Sequence, residues 1–228
     1  MQNIHVSGLV QGGDVGGLIG DVKGVSISNS YAEADVVGIG IAGGLVGILG
    51  DGHPGYITDS YALGNVSGNY AGGLAGFVIG GGIESSYAGG TVTGQLPVGG
   101  LVGNGNPALV QNSYWDTTSS GVNTSSGGTG LTTAQLKSGL PAGFDPAVWG
   151  IDAAINDGYP YLLWQVPTAV VPTTLGPGTF VGPVQPVNQT VLNPETALTR
   201  PHTHKRYANQ LKGDSNSAKE FEHGTWTL

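Results

Sequence analysis

The residues that could do chemistry are few and scattered. Glu33 and Asp35 share one face of an alternating run, and Asp59 follows at the place that Asn29 holds earlier in the chain. Paired carboxylates support glycoside hydrolysis when they oppose each other at about 5–9 Å. Sheet-based enzymes that cleave polysaccharide cluster such acids with Arg or Lys in one groove, but no Arg occurs before Arg200. The three acids therefore read as isolated surface groups. Gly38-Ile39-Gly40-Ile41-Ala42-Gly43 matches the dinucleotide-binding glycine pattern letter for letter. That turn works only where a strand passes into a helix whose N-terminus meets the pyrophosphate, and Gly44-Leu45-Val46-Gly47, which follows, is not helix-forming. His5 and His53 stand alone, His202-Thr203-His204 lies near the C-terminus, and no His-Glu-x-x-His pattern is present to hold zinc. Asp51, set among glycines, reads as a solvated turn acid, and the nonapeptide calcium-roll motif is missing. Without Cys there is no thiolate nucleophile, and there is no Gly-x-Ser-x-Gly elbow. The expectation is a chain with no catalytic residue, no metal site and no cofactor, and not an enzyme.

Composition points the same way. Gly accounts for 43 of 228 residues and charged residues for only 10%, against ordinary usage of about 7% and 25%. Residues 1–165 carry only Lys23 and Lys137 against eleven acids, whereas Arg200, Lys205, Arg206, Lys212 and Lys219 crowd the last 29 residues. An acidic body with so few cations does not neutralise phosphates, so nucleic acid is not an expected partner. Glycine interrupts every apolar run before the roughly 18 residues of a membrane span, and the start Met1-Gln-Asn-Ile-His-Val lacks the basic and apolar parts of a signal peptide.

The elements that must position these residues come from a repeat. A glycine-framed pentad recurs at Gly16-Gly17-Leu18-Ile19-Gly20, Gly43-Gly44-Leu45-Val46-Gly47, Gly72-Gly73-Leu74-Ala75-Gly76 and Gly99-Gly100-Leu101-Val102-Gly103, spaced by 27, 29 and 27 residues. A Ser-Tyr pair follows each pentad, at Ser30-Tyr31, Ser60-Tyr61, Ser86-Tyr87 and Ser113-Tyr114, and a valine returns five residues after the tyrosine at Val36, Val66 and Val92. Each period holds three runs too short for helices and suited to strands. None of these runs can bury an apolar face alone, so successive copies must stack. The sequence predicts an all-β, right-handed parallel solenoid of about four coils, the hand following from right-handed crossovers between parallel strands.

In such a stack equivalent residues lie about 4.8 Å apart. Leu18, Leu45, Leu74 and Leu101 are expected to form an interior ladder, Tyr31, Tyr61, Tyr87 and Tyr114 a second, and Asn29, Asp59, Ser85 and Asn112 a polar ladder bonding coil to coil. The pentad glycines are expected to supply tight corners and positive φ. The longer pentad-to-Tyr offset in the second copy places an insertion of about three residues in Ile48-Leu49-Gly50-Asp51-Gly52-His53-Pro54-Gly55, bulging outward.

Over residues 6–116 the pentads and Ser-Tyr pairs resemble the GLUG repeat of filamentous-haemagglutinin-like exoproteins and some bacterial immunoglobulin A proteases. Tyr114-Trp115-Asp116-Thr117-Thr118, Gly127-Gly128-Thr129-Gly130-Leu131-Thr132-Thr133-Ala134-Gln135-Leu136 and Asp157-Gly158-Tyr159-Pro160-Tyr161-Leu162 look like the segment that closes such arrays. The resemblance implies a secreted or cell-surface bacterial adhesin, here a C-terminal fragment, whose full-length form leaves through an outer-membrane transporter. Its partners would be a host-cell or glycan surface, or other fibres, met by weak repeated contacts and without membrane insertion. The rival readings are a polysaccharide-acting solenoid enzyme, a structural spacer or stalk, and an unexpressed remnant.

Four regions follow: the repeat solenoid at 1–116, a capping segment at 117–165, a Pro-rich linker at 166–201 and a polar, disordered tail at 202–228. The capping segment carries Trp115 at its threshold and Trp149 and Trp164 within, and is expected to cover the open edge of the last coil. A short helix over Thr133–Lys137 with Thr132 as its N-cap is expected there.

Overall fold

The computed structural model describes residues 1–166. The linker and tail readings lie outside the described residues, apart from Val166. What is described is an all-β parallel solenoid of about four coils with a few one-turn helices near its C-terminal end.

Each coil contains five strands and not three. In the second coil they are Tyr31–Ala32, Asp35–Gly38, Ile41–Gly43, Val46–Leu49 and Gly55–Thr58. Every strand pairs in parallel with its counterparts in the coils before and after, building five sheets that run the length of the stack. We name them the Tyr, Val, Ala, Leu and Ile sheets after the residues that lead them inward or, for Tyr, along the flank. Strands of two residues such as Tyr31–Ala32 are too short to show alternation, which is why the sequence pattern reveals only three of the five.

Register is kept by identity. Ile27, Ile57, Ile83 and Val110 pair across the Ile sheet, and Val10, Val36, Val66 and Val92 across the Val sheet. The insertion falls where the spacing put it. Five residues, Gly50 to Pro54, join the Leu and Ile sheets in the second coil, where Lys23-Gly24-Val25 and Ile79-Gly80 do so in its neighbours. Asp51 to Pro54 are exposed, and Leu49 before them and Gly55 after them stay buried in register.

The pentad glycines serve close approach, not positive φ: none of the twelve lies in the left-handed region. A Cβ added to Gly17, Gly44 or Gly73 would sit 3.0, 2.8 or 2.9 Å from the methyl of Ala32, Ala62 or Ala88 across the coil, and would also collide with the glycine carbonyl of the next coil. The opposite walls of each coil therefore touch at a Gly–Ala waist. The waist divides the interior into a larger lobe of Val22, Ile27, Leu45, Leu49, Ile57, Leu74, Ile83 and Leu101 and a smaller one of Val36, Ala42, Val66, Ala71 and Val92. In the last coil the Ala is replaced by Trp115, whose indole packs against Gly100.

Residues 117–165 do two things. Helix α1 (Thr117–Ser120), capped by Asp116, leads into a segment that closes the last coil: Gly100 N–H donates to the Thr124 carbonyl at 2.9 Å, and Ser125 Oγ accepts from Val102 N–H at 2.9 Å. Strand Thr129–Leu131 then adds a sixth member to the Tyr sheet. Helix α2 (Thr133–Leu136) follows with Thr132 as N-cap and Gln135 completing a capping box. From there the chain leaves the edge and runs as a strap over the outside of the Tyr sheet, doubling back through the antiparallel pair Trp149–Gly150 and Tyr161–Leu162.

Candidate functional site

The Leu and Tyr ladders occupy different sides of the Tyr sheet. Leu45, Leu74 and Leu101 are fully enclosed in the larger lobe and joined N–H to carbonyl, Leu45 to Leu74 at 2.9 Å and Leu74 to Leu101 at 2.8 Å. Leu18, in the first coil with no coil over it in the structure, is half-buried against the same lobe. The tyrosines point out of the coil and lie beneath the strap. His5, Tyr31, Tyr61 and Tyr87 stack with ring centroids 4.2, 4.7 and 5.0 Å apart. Leu136, Phe144, Trp149, Tyr159 and Leu162 of the capping segment bury the stack. Tyr114 is half-buried and donates to the Ala142 carbonyl at 2.8 Å. Burial pushes the Tyr87 phenol well above its ordinary pKa, and Tyr61 rises for the same reason. These are neutral packing groups at physiological pH.

The coil-to-coil polar ladder belongs to the serines, one residue later than the sequence pattern placed it. Ser30, Ser60, Ser86 and Ser113 are buried, and each hydroxyl donates to the carbonyl two residues back at 2.7–2.8 Å. Each of the last three accepts the serine N–H of the preceding coil at 3.1–3.2 Å. Asn29, Asp59, Ser85 and Asn112 instead form a column of left-handed corners with φ of 44–48°, a conformation that Asn and Asp tolerate best after Gly. The signal for the serine ladder was present, since Ser recurs as strictly as Tyr.

The three carboxylates weighed for hydrolysis are not brought together in one site. Glu33 accepts from, or pairs with, His5 Nε2 at 3.0 Å on the exposed corner between the Tyr and Val sheets. Asp35 accepts from Asn65 N–H and Nδ2 at 2.8 and 3.0 Å. Asp59 accepts the Trp149 indole N–H at 3.0 Å under the strap. Asp51, with Asp21, holds the Lys23 ammonium, each at 2.9 Å. His53 lies exposed in the inserted loop. Gly38 to Gly43 run through strand, turn and strand, with Asp14 accepting from Ile41 N–H at 2.8 Å, so no helix N-terminus adjoins that glycine pattern. Among the described residues no three of His, Asp and Glu gather in metal-binding proximity.

One acid and one phenol that the repeat pattern does not include fix the capping segment. Asp116 is fully buried, caps α1 through Thr118 and Ser119 N–H, and accepts from Thr133 Oγ1 and Tyr159 OH, both at 2.6 Å. Burial works to raise its pKa, but these four hydrogen bonds outweigh it and hold the carboxyl below the ordinary value. The Tyr159 phenol, desolvated and bound to that carboxylate, is pushed up to about 12.

What remains accessible is the outward faces of the sheets. The Val sheet presents Leu9, Val37, Ser67 and Thr93 around a broad, shallow hollow of 490 Å³. The Ile sheet presents Tyr56, Thr58, Glu84 and Gln111 around a smaller one of 180 Å³. Both are rows of side chains on regular backbone, spaced by coil.

These features define a parallel β-solenoid repeat protein. No family model matches the chain. Over 119 residues it is 35% identical to a protein of Evansella cellulosilytica named as a Gly-rich membrane protein, the match covering 46% of this chain and 13% of that protein. A crystal structure from Bacteroides ovatus, bearing the name of an immunoglobulin A1 protease, superposes on 72% of this chain and 57% of its own with a TM-score of 0.53 at 21% identity. The latter is a likeness of fold. No helix among the described residues is long and apolar enough to cross a membrane.

Proposed function

We propose that the chain is part of a secreted or surface-exposed bacterial exoprotein of the GLUG-repeat, filamentous-haemagglutinin-like kind, and that it acts as an adhesin through extended, non-catalytic contact. The observation that carries this reading is the division of labour among polar groups. The candidate acids Glu33, Asp35 and Asp59 are spent separately on structural partners, while the side chains left facing solvent repeat along flat sheets. A surface of that kind favours many weak contacts with a repetitive partner, such as a glycan coat or another fibre, over one tight site. The name of the Evansella cellulosilytica relative, which places that protein at a membrane, supports display at the cell envelope. Export of the whole protein through an outer-membrane transporter belongs to the same reading.

The test is avidity. Biotinylated chain assembled on streptavidin is expected to bind surfaces coated with desialylated mucin and sialidase-treated epithelial monolayers roughly 10²–10⁴-fold more tightly than the monomer. A sugar-release or peptidase activity of the purified chain, abolished by Glu33→Gln, Asp35→Asn or Asp59→Asn, would overturn the proposal in favour of a solenoid enzyme.

A further inference from the structure

The hollow on the Ile sheet has a more definite chemistry than the other outward faces. Its floor is Gly82, which occupies the outward register position beside Tyr56. Because Gly82 has no side chain, a slot opens between the Tyr56 ring and the one-turn helix Pro107–Leu109. Tyr56 is 49% exposed, and in the coil stack it is the aromatic side chain most open to solvent among the described residues. Thr58, Glu84 and Gln111 line the same hollow in the outward row two residues further along their strands. Among the described residues their side chains have no hydrogen-bond partner. Their backbone carbonyls do: they accept the Ser60, Ser86 and Ser113 hydroxyls of the buried serine ladder. The three polar side chains therefore stand on rigidly held backbone, one coil apart, which is how a precise site is built.

From this geometry we infer that the Tyr56–Gly82 slot is a binding subsite for one ring of a neutral saccharide. The ring's C–H face lies on Tyr56 above the Gly82 floor, and its hydroxyls meet Thr58, Glu84 and Gln111. An aromatic platform flanked by a hydroxyl, a carboxylate and an amide satisfies a pyranose, which has an apolar face and an edge of donors and acceptors. Size agrees: 180 Å³ is below the roughly 300–1,000 Å³ that encloses a drug-sized ligand, so a single unit sits in the slot while the chain continues over the sheet. Charge selects the neutral sugar. Glu84 is the charged residue of the lining, and an anionic glycan would be repelled by it and by a body with two lysines against eleven acids. A lone aromatic face is not the multi-sided cage that quaternary ammonium ligands favour. This assignment rests on the contact reading and names the partner for one of its faces.

The experiment is a ¹H–¹⁵N NMR titration of the full chain with maltohexaose, cellohexaose, hexagalacturonate and choline. At least one neutral hexasaccharide is expected to shift the signals of Tyr56, Gly82 and Glu84, with a Kd on the order of 1 mM. Tyr56→Ala is expected to weaken that binding by about tenfold, the scale of an aromatic contact. Gly82→Val, which fills the floor, is expected to do the same with Tyr56 intact. Tyr56→Ala should melt with the parent, since that side chain faces solvent, whereas Gly82→Val, whose Cβ comes within 3.2 Å of the Leu109 carbonyl, should melt somewhat lower and is compared with the parent well below its melting temperature. The assignment is overturned if neither neutral sugar binds, if hexagalacturonate or choline binds more tightly, or if both variants bind like the parent. Retained avidity of the streptavidin assembly without any oligosaccharide binding would remove this subsite and leave the adhesin reading. Oligosaccharide binding without surface avidity would do the reverse.

Discussion

The coil stack and the strap are held together by opposite strategies. In the stack every contact is one of a series: Leu45 lies on Leu74 as Leu74 lies on Leu101, and Ser60 bonds Ser86 as Ser86 bonds Ser113. In the strap each contact occurs once. Trp149 donates to Asp59, Trp164 to the Asn29 carbonyl, Gln165 to the Tyr61 hydroxyl and Tyr159 to Asp116, at 2.6–3.0 Å. A series spreads load over neighbours and needs uniform geometry. A set of unique latches tolerates irregular backbone but depends on particular atoms. The two regions should therefore fail differently when perturbed.

The largest effect is expected from a charge inside the stack. Leu74 is fully buried between Leu45 and Leu101, and the Gly–Ala waist beside it leaves no space for water. Leu74→Asp places an unpaired carboxylate there, at a cost of several kcal/mol, about 4 or more. Because neighbouring coils share that core, the loss should be cooperative, with circular dichroism and tryptophan fluorescence melting together. Leu163→Asp puts the same charge on the strap at a residue 40% exposed and should change the melting temperature by no more than a degree or two. Equal effects from the two would erase the distinction between series and latch.

Asp116 sharpens the comparison because it joins the two regions, closing the last tyrosine strand while holding Thr133 and Tyr159 of the capping segment. Asp116→Asn leaves its donors imperfectly matched and is expected to cost about 2 kcal/mol. The carboxyl is held below its ordinary pKa in the folded state, so its contribution is fully present above the unfolded value of about 4. It is lost as pH falls through the native value. Denaturant midpoints measured from pH 7 down to pH 2 should decline at the acid end for the parent and less steeply for Asp116→Asn. Parallel acid limbs in the two proteins would show that Asp116 is not the latch.

The same distinction decides what could be read from sequence. Repetition is visible without coordinates, so the pentads, the Ser-Tyr pairs and the returning valines announce a parallel solenoid and even locate the insertion before Gly55. Number of strands was hidden, because Val15–Gly16 or Tyr87–Ala88 spans too few residues for a period to register. The role of the pentad glycines was hidden too. Composition shows that a side chain is absent, and only the facing Ala32, Ala62 and Ala88 show that space, not φ, is the reason. The strap's course has no period and could not be traced, though its landing points Phe144, Trp149, Tyr159 and Trp164 stand out as the aromatics of a polar segment. The Tyr56 slot depended on which alternate residues of Gly55–Thr58 and Gly81–Glu84 face outward, and the five-strand coil settles that.

The smallest expected effect concerns the corner column, where strap and stack meet at Asn29. Its φ is 48°, a left-handed conformation that costs an ordinary L-residue roughly 1–2 kcal/mol. Asn lowers that cost, yet here its Oδ1 is buried with no partner among the described residues, so the side chain gives little back through hydrogen bonding. The strap contact at this corner, from Trp164 Nε1 at 2.8 Å, goes to the backbone carbonyl and not to the amide. Asn29→Ala keeps that carbonyl but carries the full left-handed strain, and should lose about 1 kcal/mol. Asn29→Gly removes both the strain and the orphaned oxygen while loosening the unfolded chain, and should fall within about 0.5 kcal/mol of the parent. Urea denaturation at pH 7 resolves the two. If Ala and Gly prove equally costly, the amide itself holds the corner, and the column of Asn29, Asp59, Ser85 and Asn112 bonds coil to coil after all. If they separate as stated, this column is selected for its backbone and the serines beside it carry the polar ladder alone.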